Sequence, residues 1–109
     1  KNELSILDMI GNEVLYNDIK GPVENNLTWT ATKTDLIELV YALKYSGAIN
    51  GGAAQVKEIT ESLETFFDID LGNFYKTYSE IKSRTKDRSK FLNKLSENLV
   101  SRLEQDDSI

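Results

Sequence analysis

Seven cations fall within residues 76–94: Lys76, Lys82, Arg84, Lys86, Arg88, Lys90 and Lys94, opposed there by Glu80 and Asp87 alone. Cations at this density are suited to holding phosphates, since each one that neutralises a phosphate releases a condensed counterion. The competing reading is a solvated face with its own ion pairs. Lys76, Glu80 and Arg84 stand at i, i+4 and i+8, the spacing of a surface ion-pair row on a helix. On composition alone the two readings stand level.

Other chemistry-bearing patterns are weaker. Asp68-Ile69-Asp70-Leu71-Gly72-Asn73 resembles the opening of a calcium loop. That loop needs Gly at its sixth position and a bidentate Glu at its twelfth. Here Gly72 is fifth and Ser79 is twelfth, so helix capping accounts for the acids better. Glu58, Glu61 and Glu64 lack a facing set of ligands and read as a solvated acidic face. Gly51-Gly52 lacks the Gly-Lys-Ser/Thr continuation and the preceding strand of a phosphate loop. Trp29 and the five Tyr read as core anchors before base-stacking platforms.

The chain of 109 residues has no His and no Cys. It therefore lacks the commonest general base and metal ligand, any thiol nucleophile and any disulfide. No Ser-His-Asp or Cys-His site can form from it. No apolar run reaches the ~18–20 residues of a membrane span, and there is no signal-peptide pattern. A chain opening on Lys is expected to be a fragment or a processed form. The class expected is a cytoplasmic, non-enzymatic protein without metal or cofactor. The net charge of −5 argues against nucleic acid only if it is spread evenly. It is not: residues 1–75 hold twelve acids against five Lys, and residues 95–109 hold four acids against Arg102.

The elements that must position the basic island are helical. Leu4, Leu7, Ile10, Val14 and Leu15 follow helical spacing, interrupted at Gly11-Asn12. Gly21-Pro22 and Asn25-Asn26 mark a loop. Residues 1–26 thus form a poorly assigned helix and loop, and 27–109 the helical domain proper. Leu27–Thr30 is an extended lead-in, long enough at most for one β-bridge. Thr32 or Thr34 suits an N-cap, with Asp35 on the helix dipole. Leu36, Ile37, Leu39, Val40, Tyr41, Ala42 and Leu43 are apolar nearly all round, the mark of a buried central helix, and Gly47 is its stop. A second helix buries Val56, Ile59, Leu63 and Phe66/Phe67.

With Asp70 as N-cap, a third helix over 71–84 turns Leu71, Phe74, Tyr75, Tyr78 and Ile81 inward. Residues 85–88 are a polar linker. Ser89 caps a fourth helix whose apolar face is Phe91/Leu92, Leu95, Leu99 and Leu103, and the tail from Gln105 is expected to fray. No coiled-coil seam is visible, and the sequence leaves the oligomeric state open. The expected class is all-α, with four to five helices. The second and third helices, joined by a short turn, make a helix-turn-helix candidate. In that motif the second helix of the pair enters the major groove while flanking cations hold the backbone.

Several runs in order carry a family resemblance: Trp29-Thr-Ala-Thr-Lys-Thr-Asp-Leu-Ile-Glu-Leu-Val-Tyr-Ala-Leu, Gly47-Ala-Ile-Asn-Gly-Gly, Lys57-Glu-Ile, Phe67-Asp-Ile-Asp-Leu-Gly-Asn-Phe-Tyr and Glu80-Ile-Lys-Ser-Arg-Thr-Lys-Asp-Arg-Ser-Lys-Phe-Leu. Over about residues 27–104 the chain resembles the RteC family. These are regulators carried on Bacteroides conjugative transposons, in the tetracycline-responsive control of excision. The resemblance implies a transcriptional activator with a DNA-binding region of helix-turn-helix or winged-helix type. It implies double-stranded DNA upstream of target genes as partner, with RNA polymerase or a further N-terminal region as other partners. Arg84, Lys86, Arg88 and Lys90 then match the basic motif, with Arg84, Arg88 and Lys90 as phosphate contacts. The preceding helix supplies Asn73, Lys76, Thr77, Glu80 and Ser83, of which Asn73, Lys76 and Thr77 are candidates for base edges. Glu80 either accepts from a cytosine amino group or pairs with Lys76 and Arg84. The alternative is a helical protein-interaction module, its acidic first 75 residues docking a basic partner or a further N-terminal region.

Overall fold

The computed structural model describes residues 26–108. The expected helix around Leu4–Leu15 and the loop at Gly21-Pro22 lie outside them. The first described helix, α1 (Lys33–Ser46), starts at a capping box. The Thr32 hydroxyl accepts the Asp35 N–H at 3.0 Å, and the Asp35 carboxylate accepts the Thr32 N–H at 3.4 Å, so two orphan donors are satisfied reciprocally. Gly47 ends α1 at φ 73°, a left-handed conformation that costs glycine little. The Ala48 N–H then reaches back to the Leu43 carbonyl, closing the helix as a Schellman turn.

After a 3-10 turn over Asn50–Gly52, three more α-helices follow: α2 (Val56–Phe67), α3 (Phe74–Lys82) and α4 (Lys90–Asp107). No strand occurs among the described residues, and the class is all-α. Residues 26–30 run without a β-bridge. The backbones of α2, α3 and α4 each approach α1 and do not approach one another. α1 is therefore the hub, which explains why it is apolar on most of its circumference. Leu36, Ile37 and Tyr41 pack with Leu71 on one side, beneath Trp29, Phe67, Phe74, Tyr78 and Ile81. Val40 packs with Ala54 and Ile59 on another. Lys44 clamps the turn between α1 and α2, its Nζ donating to the Gly52 and Ala54 carbonyls at 2.8 Å each. Trp29 is the anchor expected of it. Its indole N–H donates to the Thr32 carbonyl at 2.8 Å, and its ring lies against Phe67 and Phe91.

Some expectations need correction. The third helix begins at Phe74, not Leu71, and its N-cap is Asn73, not Asp70. Leu71 is drawn into the core, its N–H held by the Glu64 carboxylate at 2.8 Å. Asp70 instead accepts the Gly72 N–H at 2.8 Å, a local Asx turn that competes with helix formation. The tail does not fray at Gln105. α4 runs through Asp107, with Arg102 paired to Asp106 one turn on. The predicted apolar face of α4 divides. Phe91 is buried and Leu92 half-buried, whereas every later described residue is exposed. Among the described residues no helix is long and apolar enough to cross a membrane.

Candidate nucleic-acid interface

The basic island occupies the exposed side of α3, the loop over residues 83–89 and the first turns of α4. What holds these parts together is an acid from the hub. Glu38 is only 4% exposed. One carboxylate oxygen accepts from Arg84 Nη1 at 2.6 Å. The other accepts the backbone N–H groups of Phe91 and Leu92 at 2.9 and 3.0 Å. Glu38 thus supplies the N-terminal cap of α4 from another helix, with its negative charge at the positive end of the dipole. Ser89 occupies the N-cap position but makes no side-chain cap bond. Its hydroxyl faces Asn93 Oδ1 at 3.4 Å.

Arg84 closes the loop further. Its Nη1 also donates to the Arg88 carbonyl at 2.8 Å, and Arg88 Nη2 donates to the Lys82 carbonyl at 2.9 Å. The guanidinium of Arg84 is therefore turned inward as a fastener. Arg88 is an exposed residue whose guanidinium keeps further N–H donors. Lys86 and Lys90 are exposed. Lys90 and Lys94 border an open concavity of about 440 Å³, shared with Thr32, Thr34, Asp35 and Phe91.

On α3, Asn73 Oδ1 accepts the Lys76 N–H at 3.1 Å, and the Thr77 hydroxyl reaches the Asn73 carbonyl at 3.4 Å. Both side chains are partly committed to the helix start. Ser83 closes the other end, its hydroxyl donating to the Glu80 carbonyl at 2.7 Å. Lys76 and Glu80 are exposed, and neither forms an ion pair among the described residues. The ion-pair row that the spacing of 76, 80 and 84 allows does not form among the described residues, and Arg84 points instead to Glu38. The structure thus brings Arg84, Lys86, Arg88 and Lys90 into one tied loop and helix start. Asn73, Lys76, Thr77, Glu80 and Ser83 sit on the neighbouring helix.

Sequence reasoning missed two features. Glu38 was one acid among many, although a charge amid Leu36, Ile37, Leu39 and Val40 was the available signal. Tyr75, expected to turn inward, is 60% exposed, and Tyr45 is 69% exposed. Tyr41 and Tyr78 stack at 3.9 Å, with planes 9° apart. Burial, and then the neighbouring Tyr45, Tyr75 and Tyr78, push the Tyr41 hydroxyl above its ordinary pKa. Lys82 Nζ stands 6.0 Å from the Tyr78 ring centre, a cation–π distance. Two of the three aligned acids of α2 also have structural uses: Glu58 holds the Gln55 N–H and Glu64 the Leu71 N–H. No group of acids among the described residues could hold a metal ion.

A family model described as RteC protein matches residues 5–107. Comparison with curated proteins and with solved structures gives no match.

Proposed function

The chain belongs to the RteC family, and on that premise we propose that it is a DNA-binding transcription regulator. Its targets would be the excision or mobilisation genes of a conjugative transposon. The observation that carries the reading is the tied basic loop. Lys86, Arg88 and Lys90 are exposed on a segment fixed by Glu38 and Arg84, beside a helix with an exposed Lys76. Fixed cations can meet phosphates without first losing backbone freedom. In this reading Lys86, Arg88 and Lys90 hold phosphates, which sets register. Lys76, with Asn73 and Thr77 at the helix start, faces base edges, and Glu80 is placed to accept from a cytosine amino group. Arg84 acts indirectly, by positioning the loop. The acidic remainder repels phosphate and limits non-specific binding.

The test is a binding titration of the chain against duplex DNA from upstream of its own element's genes, at several salt concentrations. Log affinity should fall with log salt by about 0.9 per phosphate neutralised. Changing Lys86, Arg88 and Lys90 together to Gln should flatten that slope by up to about 2.7. An unchanged slope with undiminished affinity refutes the assignment. A chain that binds no duplex at low salt yet captures a protein favours the interaction-module alternative.

A further inference from the structure

α4 carries an apolar stripe that nothing in the described residues covers. Leu95, Leu99, Val100 and Leu103 are between 43% and 60% exposed, and Leu92 begins the row. Spacings of three, four and four keep Leu92, Leu95, Leu99 and Leu103 on one side of the helix. The row is about 17 Å long. Large exposed side chains scattered singly are ordinary, but a continuous row on one helix marks an interaction surface.

The charges along α4 say what fits it. The approach and start are basic, with Lys86, Arg88, Lys90 and Lys94 against Asp87. The later part is acidic, with Glu97, Glu104, Asp106 and Asp107 against Arg102. A second α4 laid antiparallel would set each basic start on the other's acidic end, and would oppose the helix dipoles. A parallel pair would set like on like. The midpoint of the stripe lies between Glu97 and Asn98. A two-fold axis there brings Leu92 over the second copy's Leu103, and Leu95 over its Val100.

We propose that the exposed face of α4 is a self-association surface, on which a second copy of this chain docks its own α4 antiparallel. The interface is isologous, and its length places it among weak, concentration-dependent dimers. The inference does not depend on the DNA-binding reading.

Sedimentation equilibrium of the whole chain, from low to high micromolar, tests it. The expected result is a monomer–dimer equilibrium. Leu99→Glu enters such an interface twice and should weaken the dimer on the order of 100-fold or more, with the melting temperature of dilute protein unchanged. Asp106→Lys with Asp107→Lys should also weaken it. Adding Lys90→Glu and Lys94→Glu should restore it, which a parallel pair would not allow. A chain that stays monomeric at high concentration overturns the proposal, as does a dimer indifferent to Leu99→Glu. A drop in the melting temperature of dilute Leu99→Glu also overturns it, because the face would then be covered by the chain's own residues.

Discussion

Replacing Glu38 by Gln tests the tie between hub and basic loop. The carboxylate receives three hydrogen bonds at 2.6–3.0 Å from donors alone: the Arg84 guanidinium and two backbone N–H groups of α4. Gln keeps one acceptor oxygen and brings an NH₂ that has nothing to donate to. If its oxygen faces the α4 amides, the NH₂ meets the guanidinium; if it turns the other way, the cap is lost. Breaking a buried ion pair from one side costs about 3–5 kcal/mol, and hydrogen bonds to charged groups contribute about 1.5–3 kcal/mol each. Arg84 is 16% exposed, so some water reaches the pair and the lower figures apply. Glu38→Gln should cost about 3 kcal/mol and lower the melting temperature by ~10–20 °C. Urea unfolding measures this directly. The double variant Glu38→Gln with Arg84→Met should cost less than the sum of the two single changes, since no buried cation is left unpaired. Amide exchange at Phe91 and Leu92 gives the local readout and should accelerate ahead of the core. A cost below about 0.5 kcal/mol, with those two amides still protected, would refute the cap and the fastening role together.

Thr60 is fully buried and its hydroxyl has no hydrogen-bond partner among the described residues. Thr60→Val keeps the shape and removes an unsatisfied group, so it should stabilise the fold by about 1 kcal/mol; a loss of that size in denaturant unfolding would contradict the packing. Tyr41 has a pKa raised in the folded state above its ordinary 10.0. The unfolded chain therefore releases this proton first, and the contribution is intact below about pH 10 and declines above it. Tyr41→Phe should weaken that decline in alkaline melts. The loss of salt slope in the Lys86, Arg88 and Lys90 variant, and the dissociation of dimer by Leu99→Glu, complete the set.

Local signals carried the sequence reading furthest. Thr32 with Asp35, Gly47 after Ser46 and the apolar run of α1, broken only by Glu38, are decided within a few residues, and they came out as expected. The boundary errors have one cause: long-range partners outcompete local preference. Asp70 is a good N-cap by type, but Leu71 enters the core and Glu64 binds its N–H, so the helix starts three residues later. Ser89 is likewise a good cap by type. It is displaced by Glu38, which lies 53 residues before Phe91 in sequence. No periodicity could have shown that pairing.

The same pairing changes what the cluster of cations means. Counting charges treats all seven as equal. The structure divides them by what their donors already hold. Arg84 has its Nη1 shared between the Glu38 carboxylate and a carbonyl, so removing it would disturb the loop, the start of α4 and any ligand held there at once. Lys86 and Lys90 hold nothing among the described residues, and Arg88 is tied by one nitrogen alone. A loss of binding in an Arg84 variant therefore says little about phosphate contact. The informative substitutions are those at Lys86, Arg88 and Lys90, where affinity and salt slope can change while the Glu38 tie, and with it the fold, stays in place.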